Sequence, residues 1–321
     1  MFALRPEWDE LWRSAANATP FQAPAWLLPW WDVFGTGQPM IATLREQTRL
    51  IGVLPLYVLD EPPARKLLPL GAGISDYYDV LLADDAPGPA TQRLLHAALA
   101  AARGDRVTEC ALLELPPHAR LMSVAVPAGW REQPASQIPC PVLQLPPSPD
   151  LLRAFIPAGR LRDVRQYRHR ADRQGGWSIE TADRDNVKEL LSLLILLHRQ
   201  RWEPQGEAGI LADPRVLAFH SRAAGELIRA GLLRLQAIRV CGRIAAALYA
   251  LLGGDAIMFY LSGFDPCLSR LSPGTILLGY MIEQAVAEGR RELHFLRGPE
   301  PYKYAWGARD RMNTTRRLVP A

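Results

Sequence analysis

Between residues 298 and 306 the chain reads Gly-Pro-Glu-Pro-Tyr-Lys-Tyr-Ala-Trp, which brings a carboxylate (Glu300), a phenol (Tyr302) and an ammonium (Lys303) close together. A carboxylate accepts a proton from an attacking group, a phenol donates one to a leaving group, and a cation holds a phosphate or carboxylate. Lys303 stands out because Lys66 and Lys188 are the only other lysines. The three follow a strand-like run, Glu292 to Leu296, and loops at strand ends commonly carry chemistry. The bland alternative is a surface ion pair of Glu300 and Lys303 with Tyr302 as packing.

A second candidate lies upstream at Ser272-Pro273-Gly274-Thr275. Ser272 suits an N-cap, Pro273 the first helical position, and Gly274 a close backbone approach. Such a helix start offers free N–H groups and the positive end of the helix dipole, which together bind phosphate or pyrophosphate. Arg270 adds a possible charge-assisted contact.

The elements that position these groups follow from periodicity. Leu232 to Val240, Arg243 to Leu252 and Asp255 to Ser262 read as three successive strands joined by tight turns at Cys241-Gly242 and Gly253-Gly254. Ser272 to Glu288 is the next helix, closed by Gly289, and Glu292 to Leu296 the next strand. Before them come helices over 150–156, 160–174, 183–202 and 214–230, with a short strand at Trp177 to Thr181. The centre of the third helix, Leu190 to Leu197, is apolar almost all round, which predicts deep burial. In the first half, Trp26, Trp30 and Phe34 mark one face of a helix over 21–34. A hairpin follows, Met40 to Arg45 and Leu50 to Val58. Strand-like runs then lie near 67–70 and 77–82, with a helix over 90–102 and a strand over 107–115. The prolines at 139, 141, 146, 147 and 149 suit a stiff connection and set a boundary between domains 1–147 and 148–321. A final strand is expected at Thr314 to Val319.

Composition narrows the class. At 321 residues, 49% hydrophobic and 22% charged, the chain has the mixture of a globular protein of two domains. No apolar run approaches the roughly 18–20 residues that span a bilayer. Met1 to Asp9 has no apolar signal core, so the cytoplasm is the expected compartment. Cys110, Cys140, Cys241 and Cys267 lack CxxC spacing, and His198 and His220 lack ligand spacing, so no metal site is expected. Residues 1–145 carry 11 basic and 15 acidic groups, whereas residues 146–321 carry 26 and 18. The basic second half favours an anionic ligand.

Several stretches resemble the CelD/BcsL group of GNAT proteins associated with cellulose biosynthesis, relatives of the FemAB-like transferases. They are Thr19 to Trp26, Gly52 to Leu56, Ser75-Asp-Tyr-Tyr-Asp79, Leu197-His-Arg-Gln-Arg-Trp202, Ser262-Gly-Phe-Asp-Pro266, Ser272-Pro-Gly274, and Leu296 to Lys303 with Trp306. The resemblance implies an α/β fold of two tandem GNAT-like domains, each a mixed, largely antiparallel sheet flanked by helices. It implies an N-acyltransferase that takes acetyl-CoA or another acyl-CoA as co-substrate. Pantetheine would then run beside Tyr260, Leu261, Ser262, Gly263 and Phe264, and pyrophosphate would meet Arg270, Ser272, Gly274 and Thr275. Where the group carries an acidic residue before its Phe-Leu-Arg-Gly stretch, this chain has His294.

The acceptor, a small molecule, sugar or carrier-bound group, is expected near Asp76, Tyr77, Tyr78, Arg201, Trp202, Arg297 and Trp306. Asp76, Tyr77 and Tyr78 serve equally as the end of a strand. Seven arginines fall within residues 153–173, and a solvated helix face is the commonest explanation. A tRNA-binding face would suit a FemAB-like aminoacyl transferase, although only Tyr167 is there to stack on a base. A non-catalytic protein that keeps the fold for partner binding is the remaining alternative.

Overall fold

The computed structural model describes residues 1–202 and 209–321, without the side chain of Trp202. The chain divides into two compact units, Met1–Pro139 with Arg311–Ala321, and Cys140–Asp310. The sequence set the boundary near 147 and left the C-terminal residues with the second domain. The division falls earlier, and residues from Arg311 onward pack with the first unit because their strand pairs there.

In the first unit, helices α1 (Arg5–Ser14) and α2 (Pro24–Phe34) precede strands β1 (Gln38–Glu46), β2 (Arg49–Glu61), β3 (Ala64–Pro69) and β4 (Leu81–Leu82). Helix α3 (Ala90–Gly104), β5 (Glu109–Leu115) and β6 (Trp130–Gln144) follow. The sheet order is β1-β2-β3-β5-β12-β6, where β12 is the strand Arg309–Pro320. β1 to β3 are antiparallel, β5 runs parallel to β3, and β12 runs antiparallel to β5. The helix expected from Phe21 starts only at Pro24, because Thr19 and Gln22 form a capping box around a single 3-10 turn first. Strand β6 is much longer than the Val142 to Leu145 segment visible between prolines.

Two of the stretches that carry the resemblance bond to each other here. The Gln22 amide donates to the carbonyls of Asp79 and Val80 at 3.1 and 3.2 Å, and the Trp26 indole donates to Ser75 Oγ at 2.9 Å. Asn313 on β12 donates to the Asp76 carbonyl, and Arg316 forks onto Glu132 at 2.7 and 2.8 Å.

The second unit holds α4 (Leu152–Phe155), α5 (Ala158–Arg173), β7 (Trp177–Thr181), α6 (Val187–Trp202) and α7 (Pro214–Arg229). Next come β8 (Leu233–Val240), β9 (Arg243–Gly253), β10 (Ala256–Phe264), α8 (Pro273–Ala287), β11 (Glu292–His294) and α9 (Pro301–Tyr304). Its sheet order is β6-β11-β10-β9-β8-β7, with β6 entering from Cys140. β8 to β10 are antiparallel and β11 is parallel to β10. Both units thus repeat one order: three antiparallel strands, a helix, and a strand parallel to the third.

Helices α5 and α8 cover one face of the second sheet, where Val164, Ile276 and Met281 pack against Leu248, Ala250, Ile257 and Phe259. Helices α6 and α7 take the other face, where His220 meets the rings of Tyr249 and Tyr260. α6 is buried along one stripe, Leu190, Leu191, Leu194 and Leu197, rather than all round; Leu196 is 49% exposed. Among the described residues no helix is long and apolar enough to cross a membrane.

Candidate functional site

A pocket of about 230 Å³ opens in the second unit where the end of β10 faces the start of α8. Strand β10 contributes Phe259, Ser262, Gly263 and Phe264; the α8 start contributes Ser272, Pro273, Gly274 and Thr275; Tyr302 and Trp306 complete it. Arg160 enters from α5 and Arg201 from α6.

A β-bulge decides which strand residues face this pocket. Phe259 pairs with Ala250 but Leu261 pairs with Tyr249, so Tyr260 is the extra residue. Simple alternation would put Tyr260, Ser262 and Phe264 on one face. Instead Tyr260 turns to His220 and Tyr249, and neither it nor Leu261 lines the pocket. Gly263 lies against α6 so closely that a Cβ would stand 2.4 Å from the His198 backbone nitrogen.

At the α8 start, Ser272 takes left-handed backbone (φ 47°), and its hydroxyl reaches back to the Ser269 carbonyl at 3.4 Å rather than capping the helix. Thr275 and Ile276 donate their N–H groups to the Ser272 carbonyl at 2.9 and 3.2 Å. Pro273 has no N–H, so the Gly274 N–H is left without an acceptor among the described residues. A Cβ on Gly274 would meet nothing within 4 Å. Arg270 is exposed and does not line the pocket.

The two arginines are held by aromatic rings. The Arg201 guanidinium lies 5.6 Å from the centre of Phe264 and donates to Ser262 Oγ at 3.4 Å. The Arg160 guanidinium lies 4.7 Å from the centre of Trp306, and burial pulls its pKa down despite nearby Asp163. No carboxylate lines the pocket among the described residues. The open N–H, the hydroxyls and the two guanidiniums fit a pyrophosphate or another anion.

Glu300, Tyr302 and Lys303 part company. Tyr302 reaches the pocket, packed edge-on against Phe295 at 6.1 Å and Phe259 at 6.3 Å. Burial, then the charge of Glu300, pushes its phenol well above the usual range, so it stays a neutral donor. Lys303 is turned inward and is not among the lining residues. Its ammonium donates to the carbonyls of Leu296, Arg297 and Gly298 at 3.3, 2.7 and 3.0 Å and pairs with Glu300 at 2.7 Å. Glu300 is half exposed and does not line the pocket. The Arg297 carbonyl therefore serves Lys303. His294 stands 2.8 Å from Glu292, which supplies an acid two residues before the place where the related group carries one.

Asp76, Tyr77 and Tyr78 belong to the first unit and are buried in it. Tyr77 and Tyr78 line an apolar cavity of about 20 Å³ there, and Tyr78 donates to the Gly71 carbonyl at 2.6 Å. Neighbouring Asp79 accepts from the N–H groups of Val80, Arg120 and Leu121, and burial raises its pKa to about 6. Trp202 ends α6, and its side chain lies outside the described residues. Sequence reasoning missed Arg160 as a pocket residue and counted it with the basic row of α5.

Burial drives His220 down to about 3 and His198 to about 4, with the charge of Arg201 adding to the latter. Unfolded histidines bind protons below about 6.5, while these do so only at lower pH. Their contribution to stability is therefore complete above that value and falls as acid is added. Replacing His220 by phenylalanine is expected to narrow the gap between urea midpoints measured at about pH 7 and about pH 5. An unchanged gap would assign the acid sensitivity elsewhere.

Residues 158–304 match the family model described as the acetyltransferase (GNAT) domain. No curated protein matches the chain in sequence. In structure the chain is similar to FemX, with a TM-score of 0.70 at 11% identity over 97% of this chain and 95% of that one. It is similar to a conserved protein of unknown function from Bacteroides thetaiotaomicron, with a TM-score of 0.65 at 10% identity over 99% and 97%. It is also similar to L-PGS from Bacillus licheniformis, with a TM-score of 0.59 at 11% identity over 91% of each chain. At such identities these likenesses show the fold alone. The stretch that matches the acetyltransferase (GNAT) domain model thus lies wholly within the second unit, in a chain whose fold is similar to that of FemX.

Proposed function

We propose that the pocket of the second unit holds an acyl thioester of coenzyme A. The protein then moves an acetyl or longer acyl group to an amine or hydroxyl of a small molecule, sugar or carrier-bound acceptor. The observation that carries this is the meeting of an open helix start with two arginines in a pocket that, among the described residues, no carboxylate lines. The resemblance to the CelD/BcsL group supports the same reading. We set the reaction in the cytoplasm, in keeping with four cysteines whose spacing suggests no disulfide framework.

The acceptor nitrogen bonds to the acyl carbon as the carbon–sulfur bond breaks; sulfur leaves with the electron pair, and the nitrogen gives up a proton. The Gly274 N–H and Arg201 hold the negative charge of the donor's phosphates. Tyr302 gives the departing sulfur a hydrogen bond from a phenol that remains protonated. Glu300, at the solvent edge, receives the acceptor's proton. Lys303 acts on none of these atoms and holds the 296–298 turn in place.

Acetyl-CoA at about 100 times its Kd is expected to stabilise the protein by about 2.7 kcal/mol, read as a shift in Tm. Gly274→Trp adds bulk into open space and is expected to remove the shift without lowering the ligand-free Tm. Tyr302→Phe keeps the ring packing and is expected to lower kcat about 100-fold. Because its pKa is raised, wild-type activity should show no loss assignable to Tyr302 below about pH 10. No shift with any CoA species would overturn the reading.

A second reading, a FemAB-like transferase using aminoacyl-tRNA, is favoured by the exposed basic face of α5, with Arg162, Arg165, His169 and Arg173, and by the FemX-like fold. It requires tight tRNA binding that weakens steeply with salt.

A further inference from the structure

The corner of the pocket built by Arg160 and Trp306 holds hydrogen-bond donors that no described residue engages. Trp306 is 1% exposed, yet its indole N–H has no acceptor among the described residues. The Arg160 Nε is also buried without an acceptor, and no hydrogen bond or ion pair engages that guanidinium among the described residues. Neither group can accept a hydrogen bond and no described residue offers them an acceptor, so an acceptor brought from outside would satisfy both.

Arg168 on the same helix shows the contrast. It forks onto Glu283 with two bonds of 2.9 Å, a carboxylate supplied by the fold. Arg160 has no such partner among the described residues, and the pocket it enters has apolar walls in Leu248, Phe259, Leu277 and Leu278. In such surroundings a planar guanidinium pairs strongly and in a fixed direction with a carboxylate. The open Gly274 N–H at the α8 start, by contrast, suits the phosphates of a thioester carrier.

We propose that Arg160 and Trp306 form a subsite for a carboxylate on the transferred acyl group or on the acceptor. The natural substrate pair then includes an acid function, and an uncharged analogue of the same size is rejected. The inference rests on the thioester reading of the pocket only for the donor arm of its test. Rejection follows because the neutral analogue leaves both buried donors unpaired.

The test titrates matched pairs into the full chain by calorimetry. Succinyl-CoA against butyryl-CoA probes the donor, and β-alanine against β-alaninamide probes the acceptor. In one pair the carboxylate member is expected to bind at least tenfold more tightly. Arg160→Met, which keeps the aliphatic stem over Trp306, should bring that ratio close to one. Trp306→Phe, which keeps a ring but removes the N–H, should lower it at least threefold and gives a second readout if Arg160→Met fails to fold. No preference in either pair, or a preference that survives both substitutions, overturns the subsite. Acetyl-CoA separates the two ideas. Binding of acetyl-CoA without carboxylate preference removes the subsite alone. A preference in the β-alanine pair with no CoA binding removes the thioester reading and leaves the subsite standing.

Discussion

Replacing Lys303 by methionine is expected to destabilise the second unit by about 3–5 kcal/mol, the scale for breaking a buried charged network from one side. The ammonium is almost fully buried and serves three consecutive carbonyls, those of Leu296, Arg297 and Gly298. Methionine fills the same space but leaves those oxygens without a donor. Glu300, at 54% exposure, can return to water, so Glu300→Gln should cost about 1 kcal/mol or less. Urea unfolding of the two variants checks the difference. Equal losses would mean that the ion pair, not the carbonyls, holds the turn. A Lys303→Met protein of wild-type stability but without transferase activity would return Lys303 to the reacting groups.

Gly263→Ala is expected to cost about 3 kcal/mol or more, at the upper end of overpacking effects. A Cβ there would lie 2.4 and 2.6 Å from backbone atoms of His198 and Leu197, which no side-chain rotation can relieve. Helix α6 must move off β10, and it carries Arg201, whose guanidinium bonds Ser262 in the pocket. The variant should therefore lose both stability and acyl-CoA affinity. A stable protein with unchanged affinity would show that α6 does not position the pocket.

Much of this arrangement is legible in the sequence, and the gaps have physical causes. The three strands, the helix from Ser272 and the strand from Glu292 follow from apolar period and turn residues, which are local signals. The bulge at Tyr260 is not local: it depends on register against β9, so nothing in the strand's own residues shows that Tyr260 faces His220 and Tyr249. Lys303 has the side chain of a substrate-binding cation, but its partners are backbone carbonyls brought together by left-handed residues at Leu296 and Gly298. Nothing in residue types announces a convergence of carbonyls. Arg160 sits in a row of arginines, and helical spacing gives each a direction without saying which direction meets a cavity. Strand β6 was hidden by Pro134, Pro139 and Pro141, which lack the ladder N–H and usually argue against a strand.

The strand Arg309–Pro320 gives the two units different histories on the ribosome. Every residue of Cys140–Asp310 is synthesised before residues 311–321 are, so the second unit needs nothing from that last segment to complete its own sheet. The first unit, whose sheet needs β12 between β5 and β6, must wait with an open gap for a segment roughly 170 residues downstream of β6. During that wait the edges of β5 and β6 are exposed to other chains, so aggregation during synthesis should begin in the half made first.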